Sequence, residues 1–153
     1  MFRKPDYFTK PVHGGIVALR ALLSTGAASA TGLTVDKLAV VAGKHFQGVL
    51  LELPVQVLLD SGQSQTVALT LNDSSASGGT YASFATGSTV FTNSTTVTGV
   101  TVRGVAALAV NLIGAKQWVR ANVVFTGSAS DTGGDQDASN FTLNFVGPNE
   151  SPA

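Results

Sequence analysis

The sequence predicts an all-β protein, an antiparallel sandwich or barrel of about seven or eight strands. Three observations lead there. Apolar and polar residues alternate with a period of two through most of the chain. Val and Thr, which suit a half-buried pleated surface, are abundant. Turns rich in Gly, Ser, Thr and Asp separate the alternating pieces. Apolar residues at three- and four-residue spacing, the mark of an amphipathic helix, are nearly absent. The 153 residues make one domain, enough to bury roughly two-thirds of the unfolded surface.

Residues 1–14, MFRKPDYFTKPVHG, form an extended arm in this reading, because Pro5 and Pro11 bias the residues before them away from helix. Phe2, Tyr7 and Phe8 would anchor it, the plain alternative being a frayed terminus. The body runs over 15–147 and a short tail over 148–153. Residues 15–23 alternate well enough for a first strand, with Val17, Leu19 and Leu23 on one face. Residues 24–32, STGAASATG, are small and polar and read as a loop. Residues 33–43 are ambiguous: Val35, Leu38 and Val41 fit a short helix, while β-branching and Gly43 fit a strand.

GVLLELPVQVLL (48–59) is a long apolar run in which Pro54 implies an edge strand, a bulge or a crossing between sheets. TVALTL (66–71) points Val67, Leu69 and Leu71 inward, with Ala68 and Thr70 outward. The following loop, with Asp73, serines and Gly78–Gly79, reads as a sandwich corner held by local side-chain-to-backbone bonds. Residues 96–113 hold two alternating pieces, Val100 with Val102, then Leu108, Val110 and Leu112. Residues 116–125 alternate again, and NFTLNF (140–145) sets Phe141, Leu143 and Phe145 on one face.

Composition narrows the function. The chain is 44% hydrophobic, too apolar for a disordered chain, and only 12% charged, about half the usual share. Zero net charge argues against nucleic-acid binding, which needs an excess of Lys and Arg. So few charges protect a lone monomer poorly and suggest a surface covered by partners. The charges are also zoned. Arg3, Lys4, Lys10 and Arg20 lie in the first 20 residues, and only the acids Asp131, Asp135, Asp137 and Glu150 follow Arg120. A docking side and a solvent side is one reading, and chance clustering is the other. There is no cysteine, so disulfides, thiolate metal sites and a thiol nucleophile are excluded. Arg20 interrupts the apolar run of the first 30 residues, which argues against a secretory leader, and no run reaches the ~18 apolar residues of a membrane helix.

Candidate chemistry is sparse. His13 and His45 are the only histidines, and no G-x-S-x-G elbow is present. Asp131, Asp135 and Asp137 could line a calcium loop, but the EF-hand layout is missing and a solvated hairpin tip explains them as well. Glu52 and Asp60 flank a strand and mimic a glycosidase pair, without an aromatic platform nearby. Trp118 could stack on a sugar or belong to core or interface. Asn72, Asn93, Asn140 and Asn149 open N-x-S/T tripeptides, which matter only in a secretory pathway. The expectation is a non-enzymatic protein without catalytic, cofactor-binding or metal-binding residues.

Two segments carry a resemblance. LTLNDSSASGGTYASFATG (69–87) and VNLIGAKQWVRANVVFTGS (110–128) resemble stretches of the capsid cement or decoration proteins of tailed bacteriophages. The resemblance extends loosely over 48–147, with the run at 94–110 and the basic, aromatic arm as departures. It implies a jelly-roll-like antiparallel β-sandwich on the outer surface of the virion capsid, made in the host cytoplasm. It implies a major capsid protein as partner and self-association as a homotrimer, with no nucleic acid, membrane or cofactor. Phe2, Arg3, Lys4, Tyr7, Phe8 and Lys10 would then carry docking. A tail or baseplate accessory protein and a carbohydrate-binding or adhesive sandwich are the alternatives.

Overall fold

A computed structural model describes residues 7–13, 19–22, 27–32, 34–38, 46–127, 135–138 and 142–148, with side chains described at 29, 31, 32, 34–38 and 46–127. Every regular element among them is a strand. In chain order these are β1 (Tyr7–His13), β2 (Leu19–Leu22), β3 (Ala27–Thr31), β4 (Val35–Asp36), β5 (Gly48–Leu59) and β6 (Ser64–Ser74). They continue with β7 (Ala82–Thr92), β8 (Val100–Asn111), β9 (Trp118–Gly127), β10 (Asp135–Ala138) and β11 (Thr142–Pro148). All pairings are antiparallel. The protein is all-β, as its periodicity predicts.

Two sheets face each other. In the first, β5 is central: β8 pairs its whole length on one side, and β11 and then β10 share the other, extended by β1 and β2. In the second, β6 lies between β7 and β9, and β9 carries the short β3 and β4 on its far side. The core is the set of alternate residues aimed between the sheets. Val49, Leu51, Leu53, Val55, Val57 and Leu59 of β5 meet Val67, Leu69 and Leu71 of β6 and Val119, Ala121, Val123 and Phe125 of β9. A one-residue slip of any of these strands would turn its whole apolar set outward, so the alternation itself specifies the register.

Three expectations change. Residues 27–31 are a strand, not part of a loop: β9 offers an open ladder there, and pairing with it outweighs the low strand propensity of Ala and Ser. The 33–43 ambiguity resolves toward a two-residue strand at Val35–Asp36, followed by a turn at Lys37 and Leu38, with 39–45 outside the described residues. Pro54 belongs to a central strand rather than an edge. The ladder on the β11/β10 side runs to Glu52 with Thr142 and resumes at Val55 with Ala138, so proline, which brings no amide N–H, stands at the changeover between two partner strands. The strand predicted over 15–23 is described at Leu19–Leu22, and the two pieces of 96–113 are one strand, β8.

Candidate functional site

The sandwich has two unlike flanks. On one, both sheets end in short pieces, β1 and β2 in the first and β3 and β4 in the second, of two to seven residues each. On the other, among the described residues, they end in β7 and β8, of 11 and 12 residues. Short edges are one of the devices that stop sheets from extending into neighbours, as are charges and prolines on the edge. Neither β7 nor β8 contains proline, β7 contains no charge, and β8 has only Arg103. Arg103 does not guard the edge, because its Nε donates across the outer face to Gln56 Oε1 at 2.7 Å. Val90 and Val105 are exposed there, at 56% and 50%.

The two long edges are fitted to each other through glycine. A β-carbon on Gly87 would lie 2.8 Å from Leu108 Cδ1, and one on Gly104 would lie 2.6 Å from Phe91 Cε1. Each strand therefore receives the other's large side chain where it has none, which lets the sheets approach closely along this flank.

The outer face of the second sheet is nearly neutral. It presents Thr66, Ala68 and Thr70 of β6, Thr86, Ser88, Val90 and Thr92 of β7, and Asn122, Val124 and Thr126 of β9. Its charges among the described residues are Asp36 of β4, beside Trp118, and Arg120, whose guanidinium lies 4.0 Å over the ring of Tyr81. The Tyr81 hydroxyl in turn donates to the Ser77 carbonyl at 3.1 Å. Two buried polar atoms of this face, Arg120 Nε and Asn122 Oδ1, have no hydrogen-bond partner.

Buried polarity concentrates in a latch at each end of the sandwich. At one end, Asn93 is only 3% exposed and uses its whole amide. Nδ2 donates to the carbonyls of Leu59 and Val97, at 3.0 and 2.8 Å, while Oδ1 accepts from Thr95 N and Oγ1, at 3.1 and 2.7 Å. Its backbone exchanges bonds with Gln63 and Gly62, so the β5–β6 turn and the β7–β8 loop become one unit. Asp60 completes it by accepting from the N–H of Gly99, whose φ of +72° suits glycine. At the other end, the buried carboxylate of Asp73 accepts from Lys116 N at 2.9 Å, with Lys116 Nζ at 3.8 Å. Lys37 Nζ donates to the Ala115 carbonyl nearby. Burial pushes the Lys37 ammonium below its ordinary pKa range, and Asp73 opposes that shift.

The residues singled out in the sequence are placed as follows. Phe2, Arg3 and Lys4 lie outside the described residues, while Tyr7, Phe8 and Lys10 stand in β1, in register with Pro148, Gly147 and Phe145 of β11. Asp135 and Asp137 are in strand β10 rather than a loop, and Asp131 is outside the described residues. Arg20 stands opposite Asp137 in the β2–β10 ladder, so part of the basic start and part of the acidic end share one sheet. Glu52 and Asp60 are no glycosidase pair. Eight residues of extended chain separate them by about 26 Å, against the ~5–9.5 Å such a pair needs. Trp118 is half-buried at an outer-face position in register with Ser74 and Asp36. His13 lies in β1, and His45 is outside the described residues. Asp73 ends a strand with a partner 43 residues away, correcting the local corner role. Asn72 and Asn93 are buried, which withdraws both from glycan attachment in the folded state, while Asn140 and Asn149 fall outside the described residues. Among the described residues no cluster of three His, Asp or Glu side chains could hold a metal, and no helix is long and apolar enough to cross a membrane.

The sequence reading passed over the unguarded flank. Its signal was legible: no charged residue occurs from 74 to 102, although the segment alternates as strand.

The geometry defines a class, a two-sheet antiparallel β-sandwich. Its fold recurs in viral capsid proteins. A structure of the Gt strain of infectious bursal disease virus superposes with a TM-score of 0.52 at 11% identity, covering 95% of this chain and 35% of that one. VP2 of the same virus in derived T=1 particles gives 0.51 at 11% identity, covering 96% and 33%. Its VP2 subviral particle gives 0.50 at 9% identity, covering 94% and 33%. The chain thus spans about a third of the length of these proteins, and at such identity the likeness is one of fold. No family model matches the chain, and no curated protein matches its sequence.

Proposed function

We propose that this chain is a structural protein of a virion, a cement or decoration protein that sits on the outside of a tailed-phage head and ties neighbouring major capsid subunits together. The observation that carries the proposal is the sparsely charged outer face of the second sheet, where hydroxyls and methyls dominate and one Asp36 balances one Arg120. Such a face loses little hydration when covered and repels no neighbour, so it suits many modest contacts over a broad area. The fold shared with viral capsid proteins and the resemblance of 69–87 and 110–128 to cement proteins support the same reading. Nothing in it requires a chemical step. In this proposal the basic, aromatic start supplies the docking anchors: Phe2, Arg3, Lys4, Tyr7, Phe8 and Lys10 meet an acidic patch of the shell. The family resemblance also implies self-association of the chain on the shell.

The test is binding of the purified full chain to expanded heads that lack it. The expected result is saturable occupancy and heads that withstand more heating. Because β1 pairs with β11, removing residues 1–12 would uncover β11; charge reversal at Arg3, Lys4 and Lys10 is the cleaner probe and should lower occupancy without loss of fold. Bare heads at every concentration, or binding to tails instead, would overturn the proposal.

A further inference from the structure

We infer that two copies of this chain pair edge to edge through β8, with β7 beside it, so that both sheets run on into the second molecule around one two-fold axis. The starting observation is the unlike treatment of the two flanks. One is broken into short strands, and the other offers 11- and 12-residue edges with no proline and a single charge.

The packing contacts fix the relative height of these edges. Gly87 of β7 faces Leu108 of β8, and Phe91 of β7 faces Gly104 of β8. One residue in from the second of these rungs, Val90 stands level with Val105. These are the exposed large apolar residues of the two strands. A two-fold axis normal to both sheets at that height serves both edges at once, bringing Val105 against its own mate and Val90 against its own.

That operator produces an antiparallel β8–β8 ladder whose pairs are compatible throughout. Residues 100 to 110 all find partners inside the strand. Arg103 falls opposite Ala107, away from the other Arg103. Val102 falls opposite Leu108, and both are only partly buried against the core in one molecule, so pairing makes the two cores continuous. In the second sheet the same axis pairs Ser88–Thr92 of each copy, a segment without charge. The occupant is a second copy because each edge complements itself. An unrelated strand would have no reason to match Val102 with Leu108 and spare Arg103 in the same register.

The pairing needs no capsid, so its failure and that of the virion role are separate results. Sedimentation of the full chain alone should show a species of twice the 15.6 kDa of one chain. Val105→Lys sets like charges opposite each other at the axis, and should give monomer at concentrations where the parent chain is dimeric. Val97→Lys, at a 59% exposed position in the loop before β8, should leave the dimer intact. The chain has no cysteine, so Val105→Cys introduces a lone thiol that on mild oxidation should yield a covalent dimer, since paired β-carbons at the axis lie within disulfide reach. Val97→Cys should not. A monomer at all concentrations, a trimer or dimer unmoved by V105K, or failure of V105C to cross-link faster than V97C would overturn the inference.

Discussion

Replacing Asn93 tests whether the end latch, rather than the core alone, holds the two sheets in register. Asn93→Ala removes four side-chain hydrogen bonds, two from Nδ2 and two to Oδ1. Water replaces part of them, but the Leu59 carbonyl is buried, and a buried group deprived of its partner carries its desolvation cost in full. At about 1 kcal/mol net per bond, less what solvent recovers, the loss is about 3 kcal/mol. For a domain of this size each kcal/mol is worth about 2–4 °C, so the melting temperature should fall by about 6–12 °C. Asn93→Asp sharpens the test, because the side chain keeps its shape while an anionic oxygen replaces the amide donor that faced two carbonyls. Burial and those carbonyls raise the folded pKa of the new carboxyl above the ~3.9 of an unfolded aspartate. The fold therefore favours the neutral form: the penalty is full above the raised value and fades as pH falls from it toward ~3.9. Thermal unfolding followed by circular dichroism at neutral and mildly acidic pH reads both effects. A fall below about 2 °C for Asn93→Ala, or an Asn93→Asp variant whose deficit ignores pH, would refute the latch.

The glycine contacts make a graded prediction. Gly104→Ala drives a β-carbon to 2.6 Å from the Phe91 ring and should destabilise by about 1–3 kcal/mol in urea unfolding, whereas Gly87→Ala meets only the movable end of Leu108 and should lose less; equal effects would contradict the packing. For Lys37, burial lowers the folded pKa below its ordinary value of 10.5. In the window between the two values the unfolded chain holds a proton that the folded chain has released, so stability rises with pH there. Urea midpoints measured upward through the alkaline range should show that slope in the parent chain and lose it in Lys37→Met.

What the sequence disclosed and what it hid follow from which interactions are local. The inward residues of β5, β6 and β9 were legible because alternation is a property of each strand alone, and Val67, Leu69 and Leu71 are all buried as their spacing requires. Residues 27–31 were not, because Ala and Ser acquire strand structure only from the β9 ladder beside them. Pro54 forbids one ladder bond, but whether that means an edge or a changeover between β11 and β10 depends on strands more than 80 residues away. Asn93 read as a glycan tripeptide for the same reason: its amide donates to the Leu59 carbonyl, 34 residues away, and its backbone pairs with Gly62 and Gln63, partners that folding alone brings to it. Charge zoning misled in the opposite direction. The chain folds back on itself, so Arg20 and Asp137, distant in sequence, become neighbours in one sheet.

The position of the two latches explains how so neutral a molecule keeps a defined structure. Asn93 lies beyond the Ser64 end of β6 and Asp73 at its Ser74 end, roughly a strand length apart. Buried hydrogen bonds are directional and so penalise register slips that apolar contact alone tolerates. Placing them at the ends fixes both sheets, while the middle of each face and the β7–β8 flank need no charge to keep the fold in place. Those surfaces are then released from structural duty, and their composition answers to contact with other molecules. The consequence separates the two roles physically: changes at Asn93 or Asp73 should act on melting with association following, whereas a lysine at Val105 should act on association while melting of the single chain stays put.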